Sequence, residues 1–235
     1  MKMSTSNHNF KNQAYMIIKE RLINCIYEPG SFLNEAQLAA DLGCSRTPVR
    51  EAISRLEFDN LVTVVPKKGI HVSDISLTDV QQIFQARLEI EPVALRMAAH
   101  NLPHAELLSF RDKFSESLPH IRDSYRLDTA MHLFIIEHCG NRYMIDMMQR
   151  VFEDNTRVII SSKQNQIQIH DARLEHLDII DALIAQDTDK AVQLMKSHIE
   201  SCRRAALDYF YDIQAYSAVP SSSSYKAVLD KIESI

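Results

Sequence analysis

The chain has 235 residues, enough for two modest domains with separate cores, and its 4 glycines, absent tryptophan and 46% hydrophobic content favour a mainly α protein. No apolar run approaches the ~18 residues of a membrane span and no apolar signal region opens the sequence, so the expectation is a cytoplasmic protein with no membrane partner. The net charge of -5 is uneven: residues 1–72 sum to +2 and residues 73–235 to -7, which excludes non-specific coating of nucleic acid but suits local DNA contact by the N-terminal part.

In chain order, residues 1–9 read as a flexible N-terminus and 10–72 as a first domain. Residues 10–27 predict an amphipathic helix, with Ala14, Ile17, Ile18, Leu22, Cys25 and Ile26 inward and Pro29-Gly30 ending it. Asn34 is an N-cap for a second helix carrying Ala36, Leu38, Ala39 and Leu42. Gly43 supplies the left-handed turn. A third helix begins at Ser45 or Arg46, with Pro48 tolerated in its first turn. Val49, Ala52, Ile53 and Leu56 face inward, leaving Arg46, Arg50 and Arg55 free on other faces. Leu61–Val65 and Ile70–Val72 read as strands joined by a turn at Pro66-Lys67-Lys68-Gly69. This order is a winged helix-turn-helix, whose third helix enters a DNA major groove. Arginine forks can bond guanine there, the Ser45 and Thr47 hydroxyls suit a phosphate, and Lys67 and Lys68 at the wing tip suit phosphate or a minor groove. The competing reading is a trihelical unit with solvated charges, and the wing argues against it.

Residues 73–78 read as a linker in which Ser76 or Thr78 caps the next helix. Helical patterns follow over 79–100, 104–121, 123–139, 141–163, 168–186 and 188–212, with breaks near Pro103, Pro119, Gly140, Asn165 and Asp187. This second domain, 79–212, predicts an all-α antiparallel bundle. Residues 213–235, with Pro220 and the serines after it, form a tail. Cys25, Cys44, Cys139 and Cys202 are scattered without a CxxC pair and read as reduced thiols, or simply as small buried hydrophobes.

In the bundle, Asp128 and His132 lie four apart on one helix face, and His176 and His198 lie on or beside apolar stripes of consecutive antiparallel helices. Three imidazoles and a carboxylate converging in an apolar bundle make a candidate divalent-metal site. A lone histidine on such a stripe is more often a hydrogen-bonded core residue, but a shared ion would satisfy all three rings at once. Glu175 and Asp178 flank His176 but are expected on other faces, which leaves no general base beside the site.

The segment CSRTPVREAISRLEFDNLVTVVPKKGIHV, preceded by EAQLAADLG, resembles the DNA-binding domain of the GntR family of bacterial transcription regulators. That resemblance implies that Arg46 and Arg50 read bases, that Ser45 and Thr47 hold phosphates, and that the Lys67–Gly69 wing tip enters the minor groove. The stretches QARLEIEPVALRMAAH, DTAMHLFIIEHCGN and EHLDIIDALIAQDTDKAVQLMKSHI resemble the helical FCD domain of the FadR subfamily, with Met131-His132 where Phe-His is common. The resemblance implies that Asp128, His132, His176 and His198 ligate a divalent metal, zinc first and nickel or manganese as alternatives. It further implies that Arg87 faces a pocket for a small carboxylic acid; Asn155, on a later bundle helix, is a further candidate polar contact. The alternative for Arg87 is a surface pair with Glu91. The expected function is a ligand-responsive, homodimeric repressor on double-stranded operator DNA. The alternatives are a metal-dependent, hydrolase-like enzyme and a regulator whose metal is purely structural.

Overall fold

The structure is a computed structural model and describes residues 4–116, 121–163 and 172–218. The sequence breaks expected at Pro119 and Asn165, and the tail from residue 219 onward, lie outside these residues.

The N-terminal unit begins with α1 (Ser4–Ile23) and continues through β1 (Phe32–Leu33), α2 (Glu35–Asp41), α3 (Arg46–Phe58), β2 (Val62–Val65) and β3 (Gly69–Val72). Ile18, Leu22, Leu38, Val49, Leu56, Val62 and Val72 close one core. The Asn34 side chain accepts from the Ala36 and Gln37 amides at 2.8 and 3.2 Å, starting α2 as expected. Gly43 ends that helix at φ +61°.

α1 stops short of the expected end. Cys25 takes φ 48°, its amide bonds the Leu22 carbonyl, and the Ile26 amide bonds the Arg21 carbonyl. That is a Schellman ending with cysteine in the position that normally calls for glycine. Ile26, expected inside, is therefore 59% exposed.

The sheet has three strands rather than two, in the order β1-β3-β2, all antiparallel, with Val62 opposite Val72 and Phe32 opposite His71. Gly69 sits at φ +116°, and a Cβ there would stand 2.7 Å from the Leu33 carbonyl oxygen. The wing can thus lie against β1 only with glycine at this position.

The C-terminal unit is a helical bundle: α4 (Leu77–Ala98), α5 (His104–Ser115), α6 (Ile121–Glu137), α7 (Arg142–Lys163), α8 (Arg173–Ile184) and α9 (Thr188–Ala218). Ser76 and Asp79 form a reciprocal capping box at the start of α4. α5 ends six residues before its expected limit and α9 runs six beyond. Phe84, Leu95, Met131, Ile135, Phe152, Ile179 and Ile199 fill a second core.

α7 touches both units. Glu153 pairs with Lys19 of α1 at 2.7 Å. One turn on, Arg157 donates to the Ser73 carbonyl of the linker at 2.6 Å, and its own carbonyl accepts from the Cys25 thiol at 3.7 Å. Asn155, between them in sequence, projects from the opposite side of the helix into the bundle. A cavity of about 460 Å³ lies at this junction, with Asp59 and Asp74 on one wall and Asp154 and Arg157 on the other.

Candidate metal and DNA-contact sites

On the N-terminal unit, Ser45, Arg46, Thr47, Arg50, Lys67 and Lys68 are all exposed, and Gly69 is half-buried. Ser45 stands at the N-cap of α3, yet its hydroxyl makes no capping bond. The exposed hydroxyl therefore lies at the positive end of the helix dipole. Two of the three arginines expected to be free are engaged. Arg50 Nε pairs with Glu35 of α2 at 2.8 Å. Arg55 donates to Asn12 at 3.0 Å and stacks 3.7 Å over the Tyr15 ring, tying α3 to α1. Arg55 is thus a packing residue, whereas Arg50 remains on the exposed face, held in position by a carboxylate.

In the bundle, the structure brings Asp128, His132, His176 and His198 together: their ligand atoms all lie within 4.8 Å of one another. The three rings are buried. α6 supplies the first two residues one helical turn apart, and α8 and α9 supply one each.

Two carboxylates that the sequence did not assign to the site complete it. Glu91 of α4 reaches His132 Nδ1 at 2.5 Å, and Glu175 of α8 reaches His198 Nδ1 at 2.8 Å. Glu175 was expected on another face; the antiparallel packing of α9 on α8 places His198 within its reach. Its engagement there makes it an orienting group for His198. The only sequence signal for Glu91 was its four-residue offset from Arg87, and that pair is formed in the interior rather than on the surface.

The donor set fits a divalent cation. An ionised carboxylate only accepts, so in the neutral rings each Nδ1 carries the proton and each Nε2 a lone pair. The Nε2 atoms of His132 and His198 nonetheless face each other at 3.1 Å. Two ligand nitrogens on one ion, with bonds of about 2.0–2.1 Å, stand roughly 3 Å apart. His176 adds buried ring nitrogens without an aligned hydrogen-bond partner, one of them 2.8 Å from Asp128 Oδ1. Carboxylates behind ligating histidines are the usual means of fixing tautomer and orientation.

The charges agree with this arrangement. Burial drives His198 down to about 3, with His176 and His132 adding to the effect and Glu175 opposing it. Burial disfavours ionised Glu91, but the Arg87 guanidinium and His132 prevail and hold its carboxyl at about 2. Asp128 is likewise held below the usual carboxylate range: the neighbouring rings, His176 foremost, outweigh its burial. Burial pushes the nearby Cys202 thiol up to about 12.

Arg87 and Asn155 meet beside this group. Arg87 lies between Phe84 and Phe152, bonds Glu91 Oε1 through Nε, and donates through Nη1 to Asn155 Oδ1 at 3.2 Å. Arg87 Nη2 and Asn155 Nδ2 are buried donors without an acceptor. Such groups are costly unless something binds them.

A winged helix joined to a helical bundle with a buried histidine–carboxylate cluster is the architecture of a ligand-sensing DNA-binding regulator. Comparison with known proteins agrees. Residues 10–72 match the gntR family of bacterial regulatory proteins and residues 82–201 match the FCD domain. The chain belongs to the GntR family and carries an FCD domain. It is similar to the HTH-type transcriptional repressor GlaR of Escherichia coli K12, at 27% identity over 79% of this chain and 90% of that one. RspR, a transcriptional repressor from the same strain, is 25% identical over 80% and 85%. The match to the regulator YdhC of Bacillus subtilis, 27% identical, spans 59% of this chain and 65% of that protein. Among solved structures, E. coli McbR/YncC and a GntR regulator from Rhodococcus sp. RHA1 each superpose with a TM-score of 0.70 at 22% identity, covering 86% and 84% of this chain and 98% and 97% of theirs; they share its fold. No helix among the described residues is long and apolar enough to cross a membrane.

Proposed function

We propose that this GntR-family regulator is a cytoplasmic repressor of the FadR subfamily. It binds a pseudo-palindromic operator as a homodimer and responds to a small carboxylic acid. The observation that carries the effector reading is the pair of unpartnered buried donors, Arg87 Nη2 and Asn155 Nδ2, beside the Asp128–His132–His176–His198 cluster. A carboxylate oxygen is the acceptor both donors lack, and a guanidinium fork matches its geometry.

Asp128, His132, His176 and His198 would hold the ion, zinc first and nickel or manganese as alternatives. When bound, a divalent ion supplies a fixed positive charge that anchors an anionic group. Glu91 and Glu175 orient the rings of His132 and His198. Arg87, with its arginine charge fixed at every working pH, offers the second anchor. On the DNA side, Arg46 and Arg50 read base edges, Ser45 and Thr47 grip phosphate, and Lys67, Lys68 and Gly69 carry the wing tip into the minor groove. Residues 10–72 serve as the DNA-binding domain and 79–212 as the effector and dimerisation domain.

The test combines elemental analysis of the purified chain with thermal melts against a panel of small carboxylic acids, with and without chelator. At least one ion per chain, one of which is lost in His132→Ala, and a chelator-sensitive shift for one acid are the expected result. An acid that shifts the melt equally after chelation would make the metal purely structural. No shift for any acid would remove the effector reading and leave the DNA-binding regulator.

A further inference from the structure

Cys202 lies one helical turn after His198 on α9, so the two share a face. Its Sγ stands 3.8 Å from both ring nitrogens of His198. From α8, Glu175 Oε2 approaches His198 Nδ1 at 2.8 Å. One ligand atom from each of Glu175, His198 and Cys202 lies within 4.8 Å of the others, the same closeness found in the four-residue cluster, and His198 alone belongs to both groups.

We propose that Glu175, His198 and Cys202 form a second divalent-cation site, which takes a thiophilic ion such as zinc or cobalt(II). The two groups use different atoms of the shared ring. Nε2 faces His132 and so belongs to the four-residue cluster, while Nδ1 faces Glu175. Sulfur, nitrogen and oxygen donors together suit zinc-like ions and disfavour magnesium and calcium, which take oxygen alone. The site is also reachable: the Glu175 side chain is 32% exposed and Cys202 is half-buried, so water can complete the coordination.

Occupation is a substitution of protons by the ion. The S–H bond of Cys202 and the Nδ1–H bond of His198 break, both protons leave to solvent, and Glu175, which accepts that Nδ1–H in the ion-free site, donates to the cation with the thiolate and the ring nitrogen, with no change of oxidation state. With Asp128, the two groups then offer four negative charges, counting the doubly deprotonated ring once, against two dications. The site goes beyond the effector reading and stands whether or not an acid binds.

The test titrates the metal-free full-length chain with cobalt(II). Bound cobalt per chain is measured alongside the thiolate-to-cobalt charge-transfer absorption. The expected result is two ions per chain, with the charge-transfer band rising with one of them. Cys202→Ser should abolish the band and one equivalent while keeping the other. Glu175→Gln, which still offers Nδ1 an accepting oxygen, should weaken the band-forming step by more than about tenfold, and it serves equally if the serine variant folds poorly. His132→Ala strikes the four-residue cluster alone and should leave the band in place. A single ion without a band overturns the proposal, as does a band that survives Cys202→Ser. A single ion whose band disappears in both Cys202→Ser and His132→Ala also overturns it, because Cys202 then serves the four-residue cluster. A single ion whose band survives His132→Ala supports the second site and instead removes the metal centre from the proposed function.

Discussion

Glu91 sits where an arginine and a histidine share one carboxylate: Oε1 accepts from Arg87 and Oε2 from His132. The residue is 1% exposed, so neither bond is diluted by water. Glu91→Gln should lower affinity for the ion about 10–100-fold, measured by competition with a chromophoric chelator, because His132 loses the anion that orients its ring and raises its basicity. Unchanged affinity would mean that the carboxylate only packs Arg87. The same residues set a pH response in metal-free protein. His198 titrates near 3 when folded and near 6.5 when unfolded, and Glu91 near 2 against 4.5. In both cases the unfolded chain binds the proton more readily, so the stabilisation is complete above the unfolded value. It falls as pH drops from 6.5 toward 3 for His198, and from 4.5 toward 2 for Glu91. Urea unfolding of chelated protein should show a midpoint that declines across this acid range. A flat profile between pH 7 and 3 would contradict the depressed His198. Asp128 and His132 were legible in the sequence because a four-residue offset is itself a geometric statement. Glu91 and Glu175 were not, since a glutamate on a helix usually faces water and only the packing of another helix turned these two inward.

α3 presents Arg46 and Arg50 on an exposed face. Arg46→Ala should cost ~1–3 kcal/mol on the specific operator, read by titration against operator and scrambled duplexes. An equal loss on both would move Arg46 from base reading to backbone contact. Lys67→Ala on the wing should weaken binding across all sequences and reduce the salt slope by about 1. A loss confined to one base position would assign it to readout instead. The helix-turn-helix could be read in advance because Asn34, Gly43 and Pro48 punctuate it. β1 could not, because two residues give no alternation to detect, and Phe32–Leu33 becomes a strand only by pairing with β3. The end of α1 is hidden in the sequence for a different reason: Cys25 takes a left-handed conformation that its side chain does not advertise. The Arg50–Glu35 pair likewise depends on how α2 lies across α3, which local sequence does not encode.

α7 contacts both the winged helix-turn-helix unit and the interior of the bundle. Glu153 and Arg157 hold α1 and the linker on one side, while Asn155 meets Arg87 on the other. Arg157 is buried, and its bond to the Ser73 carbonyl fixes the chain just after the wing. Arg157→Ala should leave operator and acid affinities each close to wild type when measured alone. It should shrink the change in operator affinity that the acid causes, because the coupling free energy needs a contact that differs between the two states. An acid effect of full size in the variant would place the connection elsewhere, with the Lys19–Glu153 pair and the Cys25 thiol on the residue 157 carbonyl still joining α7 to the end of α1.

The arrangement on α7 also bears on how such a protein can diverge. Residues 153 and 157 face α1 and the linker while 155 between them meets Arg87, so under the proposed function a substitution at 155 would retune which acid is recognised while leaving 153 and 157 in place. Changes at the latter pair can reset how strongly the signal reaches DNA while the pocket stays as it is. On that reading, ligand choice and strength of response would be open to selection as separate traits, although a single helix of about six turns carries both.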